Sequence, residues 1–122
     1  MKTILVIDDE PTVRTLAKHI LQSKGYNTIE AATGSEAIQA VFDNLGGIDG
    51  VVSDTQLQKH EEDVLGYYLW EIIGPYCGNN VVATSGTMSN KHRAAWKRVG
   101  AKAILEKPYS IQDLDEALQR FD

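Results

Sequence analysis

Five short runs rich in β-branched residues, spaced by longer stretches of helical period, constrain this chain most: Thr3 to Ile7, Thr28 to Ala31, Gly50 to Ser53, Val81 to Ser85 and Ala103 to Leu105. That alternation predicts strands joined by crossover helices, hence a parallel sheet with helices on both faces. The first run is almost wholly apolar, as a strand covered on both faces must be. Five βα units linked by right-handed crossovers give an α/β, three-layer, doubly wound sandwich. The first helix opens near Pro11, turns Val13, Leu16, Ala17, Ile20 and Leu21 inward, and stops at Gly25. The second follows Thr33-Gly34-Ser35-Glu36, carries Ala37, Ile38, Ala40 and Val41, and breaks at Gly46-Gly47. The third takes Val64, Leu65, Tyr68, Leu69 and Ile72 inward. The fourth lies between Ser89 and Val99 with Gly100 as its stop, and the fifth opens at Ser110 with Ile111, Leu114, Ala117, Leu118 and Phe121 inward.

In open sheets of this kind ligands bind beyond the carboxyl ends of the strands, where strand order reverses. Four of the predicted strands end in residues that carry chemistry: Asp8-Asp9-Glu10, Asp54, Thr84-Ser85-Gly86 and Glu106-Lys107-Pro108. Two adjacent carboxylates repel each other and resist burial, so Asp8 and Asp9 at one strand end suggest a divalent cation. The plainer reading of the pair is a solvated strand end leading into a helix, where Asp is common. The topology brings Asp8, Asp9, Asp54, Ser85 and Lys107 to one edge of the sheet.

At 122 residues the chain suits one domain, 1–122, and the last helical pattern runs to its final residues with no output domain after it. A net charge of −5 argues against a broad nucleic-acid surface, which needs clustered Lys and Arg. One cysteine, Cys77, leaves no intrachain disulfide and no multi-cysteine zinc site, and reads as a small apolar filler. No stretch has the apolar length of a membrane span and the N-terminus lacks a signal-peptide core, so a soluble cytoplasmic protein is expected. His19, His60 and His92 share no ligand spacing and are expected to face solvent.

With these residues assembled, the whole chain resembles the receiver domain of bacterial two-component response regulators, from Ile7-Asp8-Asp9-Glu10 to the last helix. The resemblance implies a flavodoxin-like sheet of order 2-1-3-4-5. It implies that Asp54 is the phosphoacceptor and that Mg2+ is held by Asp9, Asp54 and the backbone carbonyl of Gln56, with Asp8 acting through water. It implies that Lys107 pairs with the phosphoryl group, that the Lys107-Pro108 bond is cis, and that Ser85 is the hydroxyl partner, with Thr84 the alternative. A histidine kinase or histidine phosphotransfer protein would be the donor. The output partner would dock near the face of the fourth and fifth helices, where Trp96 and Tyr109 fall, although both residues read equally well as partly buried packing. Such a chain is a phosphoacceptor and not a turnover enzyme. A phosphorylation-independent binding module and an Mg2+ phosphohydrolase with an aspartyl-phosphate intermediate are the alternatives.

The chain departs from the family pattern in two regions. After Leu57, Gln58 stands where proline is common and Gly66 arrives about four positions late, so 59–63 reads as an insertion beside the site. Ile104 stands where the family carries a switch Tyr or Phe, and an isoleucine cannot swing a ring toward Ser85. Gln56 and Thr87, each two places beyond a site residue, occupy positions that tune hydrolysis in relatives.

Overall fold

The computed structural model describes residues 2–57 and 64–122. The main sheet holds β1 (Thr3–Ile7), β2 (Asn27–Ala31), β3 (Gly50–Asp54), β6 (Val81–Ser85) and β7 (Ala103–Glu106), and a separate two-stranded ribbon holds β4 (Gln56–Leu57) and β5 (Val64–Leu65). The sheet is parallel in the order β2-β1-β3-β6-β7, which is 2-1-3-4-5 when its own strands alone are counted. The fold is therefore the expected flavodoxin-like sandwich, with three predicted strand limits moved by one residue. The helices are α1 (Pro11–Ser23), α2 (Gly34–Asp43), α3 (Gly66–Ile73), α4 (Asn90–Arg98) and α5 (Ile111–Leu118). Among the described residues no helix is long and apolar enough to cross a membrane.

Alternation along each strand divides the core in two. Leu5, Ile7, Val51, Val81 and Ala83 pack with residues of α2, α3 and α4, whereas Ile4, Val6, Val52 and Val82 pack with α1 and α5. Side chains secure three helix starts. Thr33 accepts from the Glu36 amide, Ser89 from the His92 amide, and Ser110 forms a capping box with Asp113. Cys77 is fully buried, and burial pushes its thiol up to about 11, so it serves as the apolar filler expected.

The predicted inward stripe of α3 is corrected. Val64 and Leu65 are not helical. They pair antiparallel with Leu57 and Gln56, which starts the helix at Gly66 and resets its phase. The buried positions become Tyr67, Leu69, Trp70 and Ile73, leaving Tyr68 at 55% and Ile72 at 59% exposure. Leu16 and Ile111 are likewise exposed and not inward, because α1 and α5 bury only their central stripes, Ala17, Ile20 and Leu21 in one and Leu114, Ala117 and Leu118 in the other. The ribbon also places the late glycine: β5 brings the chain back beside β4, and Gly66 N–H donates to the Thr55 carbonyl at 2.7 Å. Gln58, His60 and the expected insertion 59–63 lie outside the described residues.

Glycine at 66 is required by this return. A Cβ there would come 2.1 Å from the Asp54 carbonyl oxygen and 3.0 Å from Trp96 Cζ2, and the backbone contact has no soft end to yield. Gly66→Ala is expected to cost about 3 kcal/mol of stability, measured by urea unfolding. A loss within about 0.5 kcal/mol of zero would show that α3 does not approach the end of β3 this closely.

Candidate functional site

At the carboxyl end of the sheet, β1, β3, β6 and β7 deliver the predicted residues to one recess. It is lined by Asp9, Glu10, Asp54, Gln56, Ser85, Gly86, Thr87 and Lys107. Asp8 lies beneath it, buried, with Lys107 Nζ 2.7 Å from Asp8 Oδ2 and 3.4 Å from Asp54 Oδ2. One oxygen from each of Asp8, Asp9 and Asp54 falls within 4.8 Å of the others. All three are hard carboxylate donors, which suits a small divalent cation such as Mg2+.

The carboxylates of Asp8 and Asp54 are each held by a neighbouring backbone amide. Asp8 Oδ1 accepts from the Glu10 amide at 2.9 Å, and Arg14 Nη1 donates to the Asp8 carbonyl at 2.8 Å. The solvated strand-end reading does not describe Asp8, which is buried, and the residue that caps α1 is Glu10, without a side-chain hydrogen bond. Asp54 Oδ1 accepts from the Thr55 amide at 2.8 Å, which leaves Oδ2 toward Lys107.

Burial and the Asp8 charge raise the Asp54 carboxyl from its ordinary value of 3.8 to about 6, against the opposing pull of Lys107 and of the Thr55 amide. For Lys107 burial favours the neutral amine, yet the hydrogen bond and charge of Asp8 and the charge of Asp54 outweigh it and hold the ammonium above its usual value. Tyr109 is half-buried beside this cluster, and burial together with the Asp8 charge pushes its phenol up to about 12.

The two hydroxyl candidates separate. Thr84 is buried with Oγ1 directed at the Ser53 carbonyl, 3.4 Å away, and does not line the recess. Ser85 does line it, and its hydroxyl donates to the Thr87 carbonyl at 2.8 Å. Gln56 and Thr87 are exposed on the rim. The Lys107-Pro108 bond is cis.

Of the two readings of Trp96 the packing one holds, since it is 0% exposed, with its indole enclosed beside Gly66 and donating to Thr55 Oγ1 at 2.9 Å. One expectation near the site changes. His92 is not a plain solvent-facing residue, since its Nδ1 lies 3.1 Å from the Tyr67 hydroxyl; His19 is exposed as expected. Sequence reasoning overlooked Thr55, fully buried next to Asp54, for which a threonine between an acid and an exposed glutamine gives no signal.

The profile of the family described as "Response regulator receiver domain" matches residues 4–119. The chain belongs to that family. Curated relatives include the Sensor kinase CckA of Brucella abortus, 31% identical over 92% of this chain and 12% of that protein, and a putative NtrX-like response regulator of Rickettsia bellii, 28% identical over 96% and 24%. The chain thus spans at most a quarter of the length of these two relatives. Similar solved structures include the chemotaxis protein CheY4 of Vibrio cholerae, with a TM-score of 0.84 and 26% identity over 100% of this chain and 99% of that one. Another is the NtrX receiver domain of Brucella abortus, with a TM-score of 0.83 and 30% identity over 96% and 95%. The chain is a receiver module of two-component signal transduction.

The raised Asp54 carboxyl affects stability. The folded protein holds this proton more tightly than the unfolded chain, so stability falls as pH rises from about 4 to about 6, and the full cost is present at pH 7. In metal-free buffer, Asp54→Asn is expected to stabilise the fold by about 1–3 kcal/mol at pH 7 and by almost nothing below pH 4. Thermal melts with EDTA at the two pH values test this, and a destabilised variant at pH 7 would refute it.

Proposed function

We propose that residues 1–122 act as one phosphoacceptor receiver: a histidine kinase or histidine phosphotransfer protein donates a phosphoryl group to Asp54, and the altered surface binds a partner. The observation that carries this reading is Lys107 Nζ within reach of both Asp8 and Asp54, with Ser85 and Gly86 lining the same recess. Asp54 Oδ2 is the attacking oxygen, since Oδ1 is engaged by Thr55 N–H. Its electron pair forms the new P–O bond as the P–N bond to the donor histidine breaks, and that nitrogen leaves with the bonding pair. Lys107 moves from Asp54 Oδ2 toward the phosphoryl oxygens, and Ser85 donates to another of them.

Asp9, Asp54 and the Gln56 carbonyl would ligate Mg2+ directly and Asp8 through water. Bound there, the ion would neutralise charge on the incoming phosphoryl group. Gly86 leaves space beside Ser85, with nothing within 4 Å of a Cβ placed on it. Gln56 and Thr87, exposed on the rim, are placed to govern how water reaches the acyl phosphate and so how slowly it hydrolyses. The chain works as a signalling module in the cytoplasm, and turnover is limited to that hydrolysis.

The output surface includes α4. From Ile72 to Leu105 the sequence has no acidic residue, while the exposed side of α4 carries Lys91, Lys97 and Arg98. Arg93 is paired with Glu106, but those three have no ion-pair partner among the described residues. This charge suits an acidic partner segment.

Acetyl phosphate with Mg2+ is expected to add one phosphoryl group to the intact mass of the wild-type protein and none to Asp54→Asn. An unchanged wild-type mass would favour a binding module, and rapid turnover of varied phosphate esters a hydrolase. Asp9→Ala is expected to weaken Mg2+ binding at least about tenfold, and unchanged affinity by calorimetry would remove Asp9 from the ligand set.

A further inference from the structure

Thr55 occupies a junction between the site and α4. Its N–H donates to Asp54 Oδ1 at 2.8 Å and to the Thr84 carbonyl at 2.9 Å. An indole N–H can only donate, so Thr55 Oγ1 must accept from Trp96 Nε1 at 2.9 Å, and its own proton goes to the same Thr84 carbonyl at 2.8 Å. The Thr84 carbonyl therefore supports both the amide that orients Asp54 and the hydroxyl that holds Trp96.

Trp96 is the central residue of the packing on that side. Its ring meets Tyr67 edge to face at 5.8 Å between centroids, and the Tyr67 hydroxyl reaches His92, one turn earlier on α4. Gly66, at the start of α3, lies against the same indole. Ile104 packs at the margin of this cluster and has no side-chain hydrogen-bonding atom.

We propose that the Trp96 indole, bonded to Thr55 Oγ1, carries the state of Asp54 to helix α4, the role that Ile104 cannot fill with a ring. The proposal rests on Asp54 being the phosphoacceptor. A phosphoryl group on Asp54 draws the Ser85 hydroxyl away from the Thr87 carbonyl, to which it now donates at 2.8 Å. The peptide preceding Ser85 carries the Thr84 carbonyl, so its movement redirects the Thr55 hydroxyl and the indole bound to it. Because Trp96 is enclosed, a shift of its ring moves α4 and the exposed basic residues that α4 carries.

The test compares amide spectra of 15N-labelled protein with Mg2+ before and after beryllofluoride, and phosphoryl uptake from acetyl phosphate by intact mass. Thr55→Val removes the hydroxyl at nearly constant volume, Trp96→Phe keeps an aromatic ring without the N–H, and Thr55→Ser restores the acceptor. The wild type and Thr55→Ser are expected to shift the Trp96 indole signal and the amides of 90–98. In Trp96→Phe the amide shifts fall to less than about half while phosphoryl uptake persists, and in Thr55→Val, compared at saturating beryllofluoride, they fall likewise. Wild-type-sized α4 shifts in either variant overturn the relay alone. Loss of uptake in Trp96→Phe would also overturn it, since the bond would then belong to the site and not to a route out of it. No mass gain in the wild type would overturn the phosphoacceptor reading and the relay with it.

Discussion

The site depends on one ammonium group. Lys107 Nζ lies within 3.4 Å of both Asp8 and Asp54, and Asp9 adds a third carboxylate oxygen within 4.8 Å of theirs. Three acids this close, two of them buried, repel one another strongly in a low-dielectric setting. The lysine compensates part of that repulsion, yet burial first and the Asp8 charge second still raise the Asp54 carboxyl to about 6. The remaining strain makes the recess receptive to a divalent ion and to chemistry that changes the charge on Asp54.

The fold supplies this arrangement through its parallel topology. All the strands of the main sheet run the same way, so their carboxyl ends share one edge, and side chains distant in sequence meet there. The ribbon of β4 and β5 adds a local feature. Its pairing of Gln56–Leu57 with Val64–Leu65 sets Gly66 against the end of β3. Helix α3 thereby reaches Asp54 through backbone, and α4 reaches it through Trp96 and Thr55.

Much of this was legible in the sequence. The strands read from β-branched runs, and the convergence of Asp8, Asp9, Asp54, Ser85 and Lys107 followed from topology alone. The choice of Ser85 over Thr84 has a geometric reason, since Thr84 points to the Ser53 carbonyl. Short-range pairing and side-chain direction were not legible. Two-residue strands such as Gln56–Leu57 and Val64–Leu65 carry no periodic signal, so the helical period alone puts the stripe of α3 one phase off and turns Tyr68 and Ile72, which are exposed, toward the core. The bond between Trp96 and Thr55 has no sequence signal for a similar reason: the two residues are distant in sequence and silent in pattern.

The central claim is that the three carboxylates remain together only against a cation, Lys107 first and a divalent ion second. Thermal melts of the wild type and Lys107→Met across an Mg2+ titration test it most directly. The account predicts that Lys107→Met loses about 3–5 kcal/mol in EDTA and regains more stability from Mg2+ than the wild type does. Equal Mg2+ increments in the two proteins, or a variant as stable as the wild type without metal, would contradict it.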